Sequence, residues 1–242
     1  MSATDLPSFE TVFAPVRSQT AFEETLERLG TAIKLGLLAP GARLPAEREL
    51  CTRLEISRST LRQALTALAQ SGHLYAVRGR GGGTFVAERP PPADPPTHEL
   101  VAGWRDVCDV RLGVELGIAA LCAERVREDE LGPLDELVTA MDGMTEDFPR
   151  YRQADVRLHI GLADATRSPR LIALATETQG AMTDLISYIA HPPEILAHAN
   201  AQHAQLLARI RARDGDGAVR VMAEHLRGTE HVLAGLLPGD GD

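Results

Sequence analysis

The sequence has little of what several classes of protein require. Of its 25 basic residues only Lys34 is a lysine, only 4% of its 242 residues are aromatic, and only three are cysteines. Cys51, Cys108 and Cys122 are far apart and form no disulfide framework or Cys-x-x-Cys site, which indicates buried thiols in a reducing compartment. No apolar run approaches the ~18 residues of a membrane span, and no signal peptide pattern opens the chain. We therefore expect a cytoplasmic protein with no membrane partner.

The charge is distributed unevenly along the chain. The formal net charge is −9, yet residues 1–89 carry 11 basic and 9 acidic side chains, whereas residues 90–242 carry 14 and 25. The two parts therefore have balances of +2 and −11. Within residues 43–80, seven arginines stand against three glutamates. This asymmetry is typical of a nucleic-acid-binding module joined to an acidic partner domain.

A proline-rich stretch divides the chain into two parts. Five prolines lie among residues 90–96, and neither a helix interior nor a central strand tolerates them. We therefore predict a short, stiff, extended linker over residues 89–98. The predicted division is an N-terminal tail over 1–19, a first domain over 20–88 and a second domain over 99–237.

The first domain has the pattern of three helices followed by two strands. Apolar spacing predicts helices over 20–38 and 45–54, and Ser57 is a good N-cap for a third helix that stops at Gly72. The runs LYAV and TFVA are typical of short strands, and a glycine-rich turn joins them. This order of elements predicts a winged helix-turn-helix with a small β-hairpin.

The second domain shows almost no strand pattern. Apolar periodicity predicts six helices with short connections between them. The breaks fall at Gly132-Pro133, Pro149, Ser168-Pro169, Pro192-Pro193 and residues 214–217. The predicted fold is therefore mainly α, with an N-terminal winged helix-turn-helix and a C-terminal all-α helical bundle.

The third predicted helix has the features of a DNA recognition helix. In a helix-turn-helix, the first turn of that helix meets base edges and phosphates. An arginine fork matches the two acceptors of guanine, and short hydroxyls suit phosphate oxygens. Taken singly, these features are also explained by a helix cap, a solvated face or a permissive hairpin. The predicted DNA-contacting residues are Arg48, Ser57, Arg58, Ser59, Thr60, Arg62, Arg78, Gly79 and Arg80.

Polar residues in the predicted bundle suggest a metal site. Asp155 and His159 lie at i and i+4, on one face of a helix, while His203, His225 and His231 lie on later helices. One carboxylate with two or three imidazoles suits zinc, nickel, manganese or iron better than calcium or magnesium. From spacing alone, each histidine is more often a surface or hydrogen-bonded core residue than a ligand.

Two stretches resemble known families. Residues 44–86 contain LPAEREL, SRSTLRQAL and RGRGGGTFV, and they resemble the DNA-binding domain of GntR-family bacterial transcription regulators. The family's DNA contacts fall on Arg48, Ser57, Arg58, Ser59, Thr60, Arg62 and Gly79; a run of three glycines at 81–83 departs from its usual wing. Residues about 100–235 contain DVRLGVE, DVRLH and NAQHAQLLARI, and they resemble the FCD ligand-sensing domain of the FadR-like subfamily.

The resemblance implies a ligand set in the second domain. Asp155, His159, His203 and His225 match the metal-binding positions of FCD domains, whereas His231 lies outside the pattern. The ion would be a divalent transition metal, with zinc preferred and nickel or manganese as alternatives. Arg111 would hold an effector carboxylate, unless it is only paired with Glu115 at i+4. Asn200 would line the same cavity.

The resemblance also implies a function. We expect a homodimeric transcription regulator that binds pseudo-palindromic double-stranded operator DNA and senses a small carboxylate or sugar acid. By analogy with the family, we expect it to be a repressor. We expect no enzymatic activity. One alternative is a helix-turn-helix fused to a metal-dependent enzyme domain acting on small carboxylic or sugar acids, although no base or nucleophile is recognisable. The other is an interaction module whose wing binds a protein.

Overall fold

The structure is a computed structural model that describes residues 21–79, 81–91, 98–186 and 191–236. The predicted tail and most of the predicted linker lie outside the described residues. The N-terminal part contains three helices and a hairpin, as predicted. Its elements are α1 (Ala21–Lys34), α2 (Glu47–Leu54), α3 (Arg58–Gln70), β1 (Leu74–Val77) and β2 (Gly83–Val86).

The ends of α3 follow from the residues that flank it. The Ser57 hydroxyl accepts a hydrogen bond from the Thr60 amide at 3.1 Å, which satisfies one of the free N–H groups of the first turn. Gly72 adopts a φ of +80° after the last turn, a conformation that glycine reaches without steric cost. Between these ends, Leu61, Leu65 and Leu68 face a small core. The exposed face of α3 is therefore free to carry polar residues.

The hairpin covers one side of this core. β1 and β2 pair in antiparallel register, with Leu74 opposite Val86 and Tyr75 opposite Phe85. Leu74 and Val86 are buried in the core, whereas the Tyr75 and Phe85 rings stack on the other face with centroids 5.5 Å apart. Because side chains alternate along a strand, the hairpin closes the core with one face only.

The C-terminal part is an all-helical bundle. Six long helices match the six that periodicity predicts, and a short helix precedes them. The elements are α4 (His98–Ala102), α5 (Trp104–Arg125), α6 (Glu128–Met141), a 3-10 turn (Asp142–Met144), α7 (Phe148–Ala165), α8 (Pro169–Ile186), α9 (Pro193–Arg211) and α10 (Gly215–Leu236). The predicted fold class is confirmed. No described helix is both long and apolar enough to cross a membrane.

The predicted break at Gly132-Pro133 is wrong, because both residues lie inside α6. The helix begins at Glu128, where the Glu130 carboxylate accepts a hydrogen bond from the Arg127 amide at 2.7 Å. This capping contact starts the helix well before the proline. Pro133 has no N–H to donate to the Asp129 carbonyl. Asp129 and Pro133 are both exposed, so water can satisfy this carbonyl.

Helix α5 lies at the centre of the bundle and packs against α7, α8, α9 and α10. Its inner face is apolar towards its end, where Ile118, Ala119 and Cys122 are buried. One or two turns earlier, the same face buries Arg111 and Glu115 instead. A buried charge is costly unless it is paired, so this end of the bundle must contain compensating polar groups.

The two parts of the chain are in contact through the end of α1. Lys34 forms an ion pair with Asp184 of α8 at 2.7 Å, and Arg157 of α7 donates a hydrogen bond to the Gly36 carbonyl at 3.0 Å. Gly36 has a φ of +66°, and a Cβ there would lie 1.8 Å from Nε2 of Gln153. A side chain at position 36 would therefore displace the Gln153 side chain, and the positive φ would strain the backbone there.

Candidate metal centre and nucleic-acid interface

The start of α3 presents short hydroxyls and an arginine to solvent. Ser57, Arg58 and Ser59 are exposed, and Thr60 is half-buried. The Ser57 hydroxyl lies 2.7 Å from the Ser59 hydroxyl and 2.8 Å from that of Thr60. These groups form a compact polar cluster at a helix N-terminus, which is an arrangement that binds phosphate oxygens.

Two further predicted contacts lie beside this turn. Arg62 is 70% exposed, and its Nε lies 2.9 Å from a carboxylate oxygen of Glu47. This surface ion pair contributes little to stability, but it holds the side chain across the start of α2. Arg48 is exposed on α2. Arg58 and Arg62 are therefore accessible to a duplex.

The wing turn places its predicted residues at the surface as well. Arg78 and Gly79 are exposed, and Gly79 has a φ of +97°. Arg43, which sequence reasoning missed, donates a hydrogen bond from Nη2 to the Gly82 carbonyl at 2.5 Å and so fixes the turn to the rest of the domain. Arg80 lies outside the described residues.

Three helices bring the four predicted metal ligands together. Asp155 and His159 lie on α7, His203 on α9 and His225 on α10, and all four are buried. One potential ligand atom from each lies within 4.8 Å of the others. Oδ1 of Asp155 is 3.3 Å from Nε2 of His203, and the Nε2 atoms of His203 and His225 are 3.2 Å apart. The spacing is that of a single possible metal site.

The polar atoms of this cluster fit a cation. Nε2 of His159 is buried and has no hydrogen-bond partner among the described residues, and it lies 3.8 Å from Oδ1 of Asp155. Burial lowers the pKa of His203 to about 4, so at neutral pH its imidazole has the uncharged form that ligates metals. Burial would raise the pKa of Asp155, but the histidines and Arg152 outweigh it, and the pKa lies below its ordinary value.

A second layer of polar side chains contacts the predicted ligands. Oε2 of Glu115 lies 2.9 Å from Nδ1 of His159, and its Oε1 accepts a hydrogen bond from the Gln179 amide at 2.6 Å. Burial would raise the pKa of Glu115, but His159, Arg111 and Gln179 together lower it. A carboxylate behind a ligating histidine fixes the ring tautomer and makes the ring a better ligand.

Arg152 contacts Asp155, one of the predicted ligands, from the other side. Its Nη1 donates to Oδ2 of Asp155, which leaves Oδ1 facing the imidazoles. Its Nη2 donates to the Gln179 side chain at 2.7 Å and to Thr183 at 2.9 Å. The guanidinium is therefore fully engaged within the protein, and its role is to position the carboxylate.

A cavity of about 360 Å³ opens onto this cluster. Its polar lining includes Arg111, Arg152, Asp155, Glu194, Gln202 and His225. The rest of the lining includes Phe148, Tyr151, Ile186, Ile195, Leu196, Ala199 and Val232. A cavity of this size, mostly apolar with a few convergent polar groups, is typical of a small-molecule site.

Arg111 is paired with Glu115 and also lines the cavity. Its Nε lies 3.8 Å from Oε1 of Glu115, so the pairing at i+4 exists, but this distance is too long for a hydrogen bond. The Nε atom is buried without a hydrogen-bond partner among the described residues. An arginine that lines a cavity in this state can form a bidentate contact with a carboxylate.

Asn200 was predicted to line the cavity, but it is not among the described residues that line it. Its amide donates to the Val138 carbonyl at 2.9 Å and to Asp142 at 2.6 Å. His231 is exposed on α10, as expected for a histidine outside the ligand set. The structure therefore brings together Arg111 and the four ligands, and it ties Asn200 to α6.

The residues that sequence reasoning missed are those of the second layer. Arg152 precedes Asp155 by three residues on a predicted helix, so its position on the same face was a usable signal. The sequence predicts Glu115 only as an ion-pair partner of Arg111. Gln179 carried no signal, because only the packing of α8 against α5 brings it to Glu115.

Comparison with known proteins gives two family matches. Residues 22–86 match the family described as bacterial regulatory proteins, gntR family, and residues 106–228 match the FCD domain. The chain is 31% identical over 236 residues to RmpR of Mycobacterium gastri, which bears the name of an HTH-type transcriptional regulator; the alignment covers 93% of this chain and 84% of that protein. It is also 28% identical to the galactonate operon transcriptional repressor of Escherichia coli, over 78% of this chain and 86% of that protein.

A solved structure with the same fold is that of Escherichia coli McbR/YncC. The TM-score is 0.57 at 22% sequence identity, and the match covers 90% of this chain and 99% of that one. At this identity the likeness concerns the fold alone.

Proposed function

Because this chain belongs to the GntR family of bacterial regulatory proteins and carries an FCD domain, we propose that it is a repressor whose affinity for operator DNA is set by a small organic acid. The observation that carries the proposal is that Arg111, Asp155 and His225 line one cavity together. The relatives and the fold are those of transcription regulators rather than of enzymes, and they do not favour the alternative of a fused enzyme domain.

The DNA partner is double-stranded and pseudo-palindromic. A homodimer presents two identical readers related by two-fold symmetry, so its operator has two related half-sites. The exposed Arg58 and Arg62 read bases from α3, while Arg48 on α2 contacts the backbone. Arg78, Gly79 and Arg80 add contacts from the wing. Because its proposed partner is chromosomal DNA, we expect the protein in the bacterial cytoplasm.

The metal is a divalent transition ion held by Asp155, His159, His203 and His225. Three imidazoles and one carboxylate favour zinc, with nickel and manganese as alternatives. When bound, the ion supplies a Lewis-acidic position for an oxygen atom of the effector. The protein's own contribution is to hold the four ligand atoms within 4.8 Å of one another, in the orientation that Glu115 and Arg152 impose.

The effector is a small carboxylic or sugar acid. Arg111 offers its guanidinium to the carboxylate, and the apolar side chains of the cavity exclude water from that contact, which strengthens it. The name of the galactonate operon repressor links one relative to the operon of a sugar acid. Such an acid, with a carboxylate and neighbouring hydroxyls, matches a wall that combines a guanidinium with metal ligands.

Helix α7 couples the cavity to the DNA-binding domain. Asp155 and His159 lie on the inner face of this helix, and Gln153 and Arg157 lie on its outer face against Gly36. A small shift of α7 on effector binding therefore moves the contact that holds the end of α1. A coupling of ~1–3 kcal/mol at this contact changes operator affinity by about 5- to 150-fold.

The test is DNA binding by the metal-loaded full chain. Genomic fragments enriched on the protein should share a palindromic motif, and affinity for that motif should fall steeply with salt. A panel of acetate, L-lactate, malate, citrate and galactonate should contain an acid that lowers the affinity, and chelator treatment should remove this effect. The proposal is wrong if no motif is enriched, or if no acid changes the binding.

A further inference from the structure

Gln202 lies where the metal ligands meet the cavity. It is on α9, immediately before the ligand His203, and it is half-buried. Its side chain lines the cavity together with Arg111 and His225. None of the roles described above uses it, although it is one of the few uncharged polar side chains on this wall.

The position of His225 fixes the orientation of the Gln202 amide. Nε2 of His225 faces Nε2 of His203 at 3.2 Å, so Nε2 is the ligating atom of the ring. A neutral imidazole that ligates through Nε2 carries its proton on Nδ1. That nitrogen lies 3.3 Å from Oε1 of Gln202, so the ring donates and the amide oxygen accepts.

The amide nitrogen of Gln202 is then available to a bound molecule. An amide has one oxygen and one NH2 group, and the oxygen is already directed at His225. The Nε2 atom donates to no described residue. Gln202 therefore brings two N–H donors to a cavity that the guanidinium of Arg111 also lines.

We propose that Gln202 is an effector-binding residue that donates a hydrogen bond to an anionic oxygen of the organic acid while its own oxygen orients His225. This inference rests on the proposed function, and it adds a specificity element to that site. The side chain must be an amide for both tasks, because a carboxylate would accept from His225 but would repel the acid. Asp155 already places one negative charge at this wall, and Glu194 places another in the lining.

The decisive variant is Gln202→Glu in the metal-loaded full chain. It keeps an acceptor for Nδ1 of His225 but replaces the donors with a negative charge. The matched control is Gln205→Glu, which makes the same charge change at an exposed position one turn further along α9. The measurements are the metal content per chain and the affinity for the same panel of acetate, L-lactate, malate, citrate and galactonate, by calorimetry.

We expect Gln202→Glu to retain the metal and to bind the acids about 10- to 100-fold more weakly, as the loss of a hydrogen bond to a charged group implies. Gln205→Glu should bind them like the wild type. Equal affinity in both variants, or loss of the metal from Gln202→Glu, would overturn the effector contact alone. A wild-type protein that binds none of the acids would instead overturn the organic-acid function itself.

Discussion

The start of α3, which is the predicted DNA interface, and the cavity of the helical bundle both contain arginines. These arginines are exposed in the first region and buried in the second. In the reader, the arginines at the start of α3 are exposed, and Arg62 makes one surface ion pair with Glu47. In the cavity, Arg111 and Arg152 are buried together with a carboxylate and three histidines. An exposed arginine contributes substantial interaction energy only when it binds a partner molecule. A buried arginine carries a charge that must be paired within the fold. We therefore expect substitutions to cost more in the cavity than in the reader.

The largest effect is expected for a metal ligand. His203→Ala should weaken metal affinity well over 100-fold, because the loss of a second-layer partner alone costs about 10- to 100-fold. The measurement is the metal content after dialysis and the competition with a chromophoric chelator. The control is His231→Ala, which removes an exposed histidine of α10. Equal retention of metal in both variants would remove His203 from the ligand set.

The next largest effect concerns the effector. Arg111→Met should weaken binding of the acid by about 30-fold or more, since truncating one partner of a buried charge pair costs ~2–5 kcal/mol. Glu115 keeps its contacts to His159 and Gln179 in this variant, so the bundle should remain folded. Circular dichroism checks the fold, and calorimetry measures the acid. A normal response to the acid would mean that Arg111 is only a partner of Glu115.

A smaller effect is expected at the reader. Arg62→Ala should weaken binding to the specific operator on the order of 10-fold, because a bidentate base contact contributes ~1–3 kcal/mol. Arg170→Ala, on the exposed surface of the bundle, should bind the operator like the wild type. Fluorescence anisotropy at fixed salt measures both. If the two variants have the same affinity, Arg62 does not belong to the DNA interface.

The smallest effect is expected at the contact between the two parts. Arg157→Met removes the hydrogen bond to Gly36. It should change the ratio of operator affinities with and without acid by about 2- to 5-fold, which corresponds to ~0.5–1 kcal/mol of coupling free energy. Arg150→Met, at an exposed position of the same helix, serves as the control. An unchanged ratio in Arg157→Met would exclude this route.

The part of the molecule that was predictable from the sequence is the part that depends on local pattern. The cap at Ser57, the stop at Gly72 and the hairpin follow from residues that are close in the chain. The six bundle helices follow from apolar periodicity, and the error at Gly132-Pro133 came from treating a proline as a break when the Glu130 cap had already started the helix.

Less of the candidate site than of the fold could be predicted from the sequence. Asp155 and His159 share a face at i and i+4, but their meeting with His203 and His225 depends on how α7, α9 and α10 pack, and the family resemblance supplied that information. Glu115 and Gln179 show no pattern that marks them as a second layer. Their roles arise from contacts between residues 44 and 64 positions apart in the chain.

The central claim is that an acid in the buried cavity controls the exposed reader, and reciprocal titration tests it most directly. Operator affinity of the metal-loaded protein would be measured with and without the acid, and acid affinity with and without saturating operator. Linkage requires the two ratios to be equal, and we predict a common factor of at least about 5-fold. Tight binding of both partners with a factor of one in each direction would contradict the account.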